Sequence, residues 1–126
     1  MKPSTLTIAS LLSIILLPFH IAGDVDLGLD RGGAPVVFIA IPFLLLVACG
    51  TLLLSERRSG LIIMLLGGLM ALAMPIIHRH NGFTATVAQS AGGVFFMWTL
   101  MALGVTGGLA VILSAHGLWK LRLRQS

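Results

Sequence analysis

Four long apolar runs, broken only by short polar segments, constrain this chain more than any other feature. They cover about residues 3–23, 35–54, 60–77 and 92–119. An α-helix rises about 1.5 Å per residue, so each run is close to or above the roughly 18–20 residues that cross about 30 Å of hydrocarbon. The runs are continuously apolar and do not alternate, which argues against a transmembrane β-barrel. The sequence therefore predicts an all-α fold, one transmembrane domain over residues 1–126 built as an integral membrane bundle of four helices with short connections. The third run is near the lower length limit and has to stand upright, whereas the fourth is long enough to tilt. Between them, Asn81-Gly82 is a strong turn signal, and residues 81–90 read as a short loop lying on the membrane surface.

Composition agrees. Apolar residues make up 57% of the 126 positions, and counting the 15 glycines raises this to about 69%, against roughly 45–50% in soluble domains. Charged residues are 10%, where about 25% is usual. A soluble globule, a disordered tail and a nucleic-acid-binding domain are excluded on these grounds. The formal charge of +4 arises from eight Lys and Arg, and these form no basic stripe interleaved with aromatics, so no nucleic-acid partner is expected.

The basic residues instead report orientation, because short loops rich in Lys and Arg stay in the cytoplasm. Lys2, Arg57, Arg58, Lys120, Arg122 and Arg124 fall at one end of the four-span arrangement, and only Arg31 and Arg79 at the other. Both termini are thus expected in the cytoplasm, with the chain in the plasma (inner) membrane and the lipid bilayer as its first partner. Lys2, the apolar core and Ala22-Gly23 also fit a secretory leader, but a cut after Gly23 would put Ile21 where a small residue is preferred. An uncleaved first helix is the expectation. Trp119 beside Lys120, Arg122 and Arg124 suits an interfacial anchor on anionic lipid.

No Asp, Glu, Lys or Arg falls inside the four runs. Ion-coupled carriers usually place an ionisable group there, so coupled transport is disfavoured. Helices in lipid associate through small residues four apart. The fourth run has such a row in Ala102, Thr106, Ala110 and Ser114, and a second in Gly104 and Gly108. One row serves internal packing. The second suggests a face for a membrane-protein partner or for self-association. On this basis the chain reads as a non-catalytic subunit or assembly factor of a larger membrane complex.

Two other functions compete with it. His20 and His78 both sit near outer helix ends, following Pro18 and Pro75, and each is followed by a polar loop and a glycine pair, Gly32-Gly33 and Gly92-Gly93. This recurrence suggests a parallel duplication of a helical hairpin, with the two histidines facing each other across a pseudo-twofold axis. They could then bind a b-type haem, or a copper or zinc ion together with His80, Asp24 or Asp26. Such an electron-transfer or metal-binding protein is the first alternative. A small oligomeric channel or carrier is the second, its path lined by Thr5, Ser10, Ser13, Thr51, Thr99, Thr106 and Ser114.

Other features carry less. The segment from Asp24 to Asp30 lacks the bidentate Glu of a calcium loop, since the twelfth position is Pro35. Asp30 is better placed to favour the start of the second helix. Cys49 is a lone cysteine in an apolar run and reads as a small buried hydrophobe. Ser114 and His116 are two apart and lack a third member, so no nucleophile and base can be assembled, and no enzymatic activity is expected.

Overall fold

The computed structural model describes residues 4–29 and 34–124. Lys2, Asp30, Arg31 and the Gly32-Gly33 pair, on which orientation, capping and duplication partly rest, lie outside them. The described residues form α1 (Thr5–Asp26), α2 (Ala34–Leu52), α3 (Arg58–Ile77), a single turn α4 (Ala85–Ala88) and α5 (Ala91–Leu123), with no strand among them. By length and composition α1, α3 and α5 can each cross a membrane, and α2 contributes a shorter apolar stretch, Phe38–Leu52. Successive long helices alternate in direction: Ser10 of α1 meets Thr51 late in α2, while His20 late in α1 meets His78 at the end of α3 and Phe96 early in α5.

The burial pattern is the reverse of that in a water-soluble bundle. The interior is built largely from small and hydroxyl-bearing residues, including Ala9, Ser10, Ser13, Thr51, Ala71, Thr99, Ala110 and Ser114. Large apolar side chains such as Phe38, Leu45, Leu53, Ile77, Trp98 and Ile112 point outward. A soluble protein rarely exposes an apolar surface this extensive, and lipid is its natural solvent. Cys49 follows the same logic. It is exposed on α2 and not buried as its apolar neighbours suggested, because in a membrane helix an apolar run does not distinguish the inward face from the outward one.

Close backbone approach replaces hydrophobic burial as the packing device. A Cβ on Gly107 of α5 would lie 2.6 Å from the Leu72 backbone nitrogen and 2.7 Å from the Gly68 carbonyl oxygen of α3. On the other flank of α3, a Cβ on Gly67 would lie 2.8 Å from Val47 of α2. Hydroxyl pairs tie the remaining contacts. Ser10 Oγ and Thr51 Oγ1 are 2.7 Å apart, and Ser13 Oγ donates to Thr106 Oγ1 of α5 at 2.9 Å. Thr51, Thr99 and Thr106 also donate to carbonyls of their own helices. The space between α1, α2 and α3 is only about 10 Å³, room for one water at most. Of the hydroxyl residues considered above as a path lining, Ser10, Ser13, Thr51 and Thr106 are thus occupied in holding helices together, and Thr99 bonds within its own helix. Since α1 supplies half of each interhelical pair, it is an integral member of the bundle.

The first and last helices run further than their apolar stretches. The first helix does not stop at Gly23 but runs to Asp26. Gly28, with φ of +63°, ends it. The Leu29 amide donates to the Asp24 carbonyl at 2.9 Å and that of Gly28 to Val25 at 3.1 Å, which together satisfy the last carbonyls of the helix in a Schellman motif. A Cβ on Gly28 would meet nothing within 4 Å, so the requirement for glycine is conformational alone. Gly28→Ala is expected to lower stability by about 1 kcal/mol, read as a shift of the unfolding transition in detergent.

The fourth apolar run continues through the basic tail to Leu123, a helix of 33 residues and about 50 Å at 1.5 Å per residue. The surface loop contains α4, capped by Thr84, whose Oγ1 accepts from the Val87 amide. Ser90 caps α5 in the same way.

Candidate functional site

Of the side chains considered for a ligand site, the fold collects three. One ligand atom from each of His20, Asp24 and His78 lies within 4.8 Å of the others, the one such group among the described residues. His20 and Asp24 are four apart on α1 and share a helical face. Their alignment depends on the helix continuing past Gly23, with Asp24 then held by the Schellman turn at its own carbonyl. His78 arrives from α3 as the residue that caps it, its amide donating to the Met74 carbonyl at 3.0 Å. Gly82 fixes that turn from the other side, donating to the His78 carbonyl at 2.7 Å. A Cβ on Gly82 would stand 3.0 Å from His78 Cβ.

The two imidazoles meet edge to face, with ring centroids 5.0 Å apart and planes at 79°. Phe96 of α5 stacks on His20 at 4.9 Å and 26° and forms the wall of the site. Gly23 makes room for it, since a Cβ there would lie 3.0 Å from Phe96 Cδ2. His20 is 2% exposed, and its Nδ1 is buried without a hydrogen-bond partner. Asp24 Oδ2 and His78 Nε2 are 3.7 Å apart, at side-chain exposures of 15% and 14%. The site therefore opens towards the polar loops on one side and is closed by Phe96 on the other.

Two electrostatic features favour a cation here. A neutral imidazole has one nitrogen that accepts, and the buried Nδ1 of His20, without a hydrogen-bond partner among the described residues, is available to a bound species. Asp24 and Asp26 also lie in the last turn of α1, where the helix dipole disfavours negative charge by about 0.3–1 kcal/mol each. The carboxyl ends of α1 and α3 converge at the site, so a positive charge there would be stabilised by both helix ends and by the carboxylate.

The other residues considered for metal lie elsewhere. His80 is exposed and accepts at Nε2 from Arg79 Nε at 2.9 Å. Asp26 is exposed, six residues from His20 and off its helical face, on the side towards Gly92. His116 is exposed near the opposite end of the bundle. Nor are His20 and His78 equivalent in the sense that a duplication implies, since α1 continues six residues beyond His20 whereas α3 ends before His78.

Of the two small-residue rows of the last helix, Ala110 and Ser114 are buried and Ala102, Gly104, Thr106 and Gly108 are half-buried. Gly104 faces Pro75, with a Cβ position 3.1 Å from its ring, and Gly108 faces Leu72 at 3.7 Å. Thr106 bonds to Ser13 of α1, Ala110 packs against Gly68 of α3, and Ser114 is wholly buried. Ala102 is half-buried and its carbonyl accepts from Thr106. Gly104 and Gly108 are half-buried and border α3.

No protein-family model matches the chain, and no curated protein or solved structure is significantly similar to it.

Proposed function

We propose that this is a small multi-pass membrane protein that binds one divalent transition-metal ion, zinc or copper, through His20, Asp24 and His78. The observation that carries the reading is the convergence of these three side chains, one ligand atom of each within 4.8 Å of the others, at a buried His20 whose Nδ1 has no hydrogen-bond partner. Two imidazoles and a carboxylate suit zinc or copper(II). Tetrahedral bonds of about 2.0–2.1 Å require donors roughly 3.3 Å apart, so the present spacing closes around an ion by side-chain rotation of an ångström or so. Three protein donors leave a further coordination position for water or a transferred ligand.

An ion is favoured over haem because the imidazoles touch edge to face, which leaves no slot for a macrocycle between them. No nucleophile and base are gathered beside the site among the described residues, and binding rather than catalysis is the role proposed. Because Gly104 and Gly108 border α3, they lend less support to a subunit role through the last helix than the three gathered donors lend to metal binding. With Arg57, Arg58 and the basic tail at the opposite end, the positive-inside bias favours four spans, cytoplasmic termini in the inner membrane and a site facing outward.

Elemental analysis tests this directly. Protein purified in mild detergent, equilibrated with zinc or copper and desalted, is expected to retain about one ion per chain and to show no Soret band. Retention no greater than that of a His20→Ala chain treated identically would overturn the assignment.

A further inference from the structure

The opposite end of the bundle carries a second, unrelated feature. Where α3 begins and α5 ends, a groove of about 870 Å³ is bordered by Arg58 and Arg122 and floored by Ile62, Leu118 and Leu121, with Trp119 at its edge. Arg58 is the first residue of α3 and Arg122 lies in the last turn of α5. They are 64 positions apart in sequence, so only the packing of the two helices gives them a common space. Both are exposed, as is Trp119.

We propose that this groove holds one anionic phospholipid. Three independent features define that occupant. Two guanidiniums flanking one opening match a phosphodiester, which each can hold through paired N–H donors. Ile62 and Leu118 lie one helical turn further into the bundle than Arg58 and Arg122, so the lining passes from charged to apolar along α3 and α5, and a ligand seated there needs a charged head joined to an apolar body. Trp119 stands at the level where indole rings sit among lipid headgroups. The beginning of α3 adds to the field, because Arg57, its N-cap, provides no side-chain hydrogen bond to the first amides, which stay directed at the headgroup region with the positive end of the helix dipole. A free phosphate would satisfy the arginines but leave the apolar floor unmatched, and a zwitterionic lipid would bring its own cation against them.

The full chain, delipidated in detergent, is titrated with phosphatidylglycerol or phosphatidylcholine and bound lipid is counted by native mass spectrometry. One phosphatidylglycerol is expected to bind in preference to phosphatidylcholine. The double variant Arg58→Gln, Arg122→Gln is expected to bind it about 30-fold more weakly, which corresponds to about 2 kcal/mol for the loss of direct charge-assisted hydrogen bonds to the phosphodiester. The variant Arg57→Gln, Arg124→Gln, with the same loss of charge outside the groove lining, is expected to bind within about twofold of the parent. An unchanged thermal transition in both variants shows that neither change acts through folding. Equal loss in the two double variants, equal binding of the two lipids, or displacement by millimolar inorganic phosphate would each overturn the proposal.

Discussion

His20→Ala is expected to abolish specific metal retention and the stabilisation that a bound metal would confer. With one of three donors deleted, affinity is expected to fall by more than the roughly 10–100-fold that an outer-shell partner is worth. His78→Ala is expected to match it. Asp24→Asn, which keeps an oxygen donor but loses the charge, falls less. His80→Ala is expected to bind as the parent does, because that ring bonds to Arg79 outside the cluster. The alanine at position 20 also opens a void beneath Phe96, so its stability without metal falls as well. The two effects separate when unfolding is followed with and without zinc. At a concentration of 100 times Kd the parent gains about 2.7 kcal/mol, and the His20→Ala chain gains nothing. Acidification is expected to weaken binding in the parent, since protons compete with the ion for both imidazoles. Equal zinc-induced stabilisation of the parent and His20→Ala would rule the site out.

Gly107→Leu is expected to disrupt the bundle most severely among single substitutions. The obstacle is backbone on the facing helix, the Leu72 nitrogen and the Gly68 carbonyl, and no rotamer of the new side chain avoids it. The helices α3 and α5 would have to separate, and with them the close contact on which Ala71, Leu103 and Leu17 are packed. A loss of at least about 3 kcal/mol is expected, at or beyond the upper end for overpacked cores, visible as aggregation or a lowered unfolding transition in detergent. Gly108→Ala provides the contrast. Its Cβ would sit 3.7 Å from Leu72 Cδ1, ordinary van der Waals contact, and stability should stay within about 0.5 kcal/mol. If both variants unfold alike, the close approach at Gly107 is not what holds the pair together.

The site was partly legible in the chain. The recurrence of a proline followed by a histidine near two helix ends brought His20 and His78 forward, and they do meet. Asp24 was one carboxylate among several until the length of α1 was known. The signal lay in Gly28, the residue that can end the helix in a left-handed conformation, and not in Gly23, whose lack of a side chain serves Phe96 instead. Phe96 itself could not have been found from sequence, because nothing in the spacing of an apolar run says which aromatic ring will reach another helix.

The same division runs through the whole protein. Apolar length alone determined that the chain is helical and built for a membrane, since three helices able to span it need nothing more than continuous hydrophobicity and internally satisfied backbone. Which face of each helix turns inward was decided only in the tertiary structure. In water that choice is written as an alternation of polar and apolar residues, but lipid is as apolar as the interior, so the pattern is erased. What remains to decide it is steric fit between glycine backbones and the pairing of a few hydroxyls. These same contacts place His20, Asp24 and His78 around a single point.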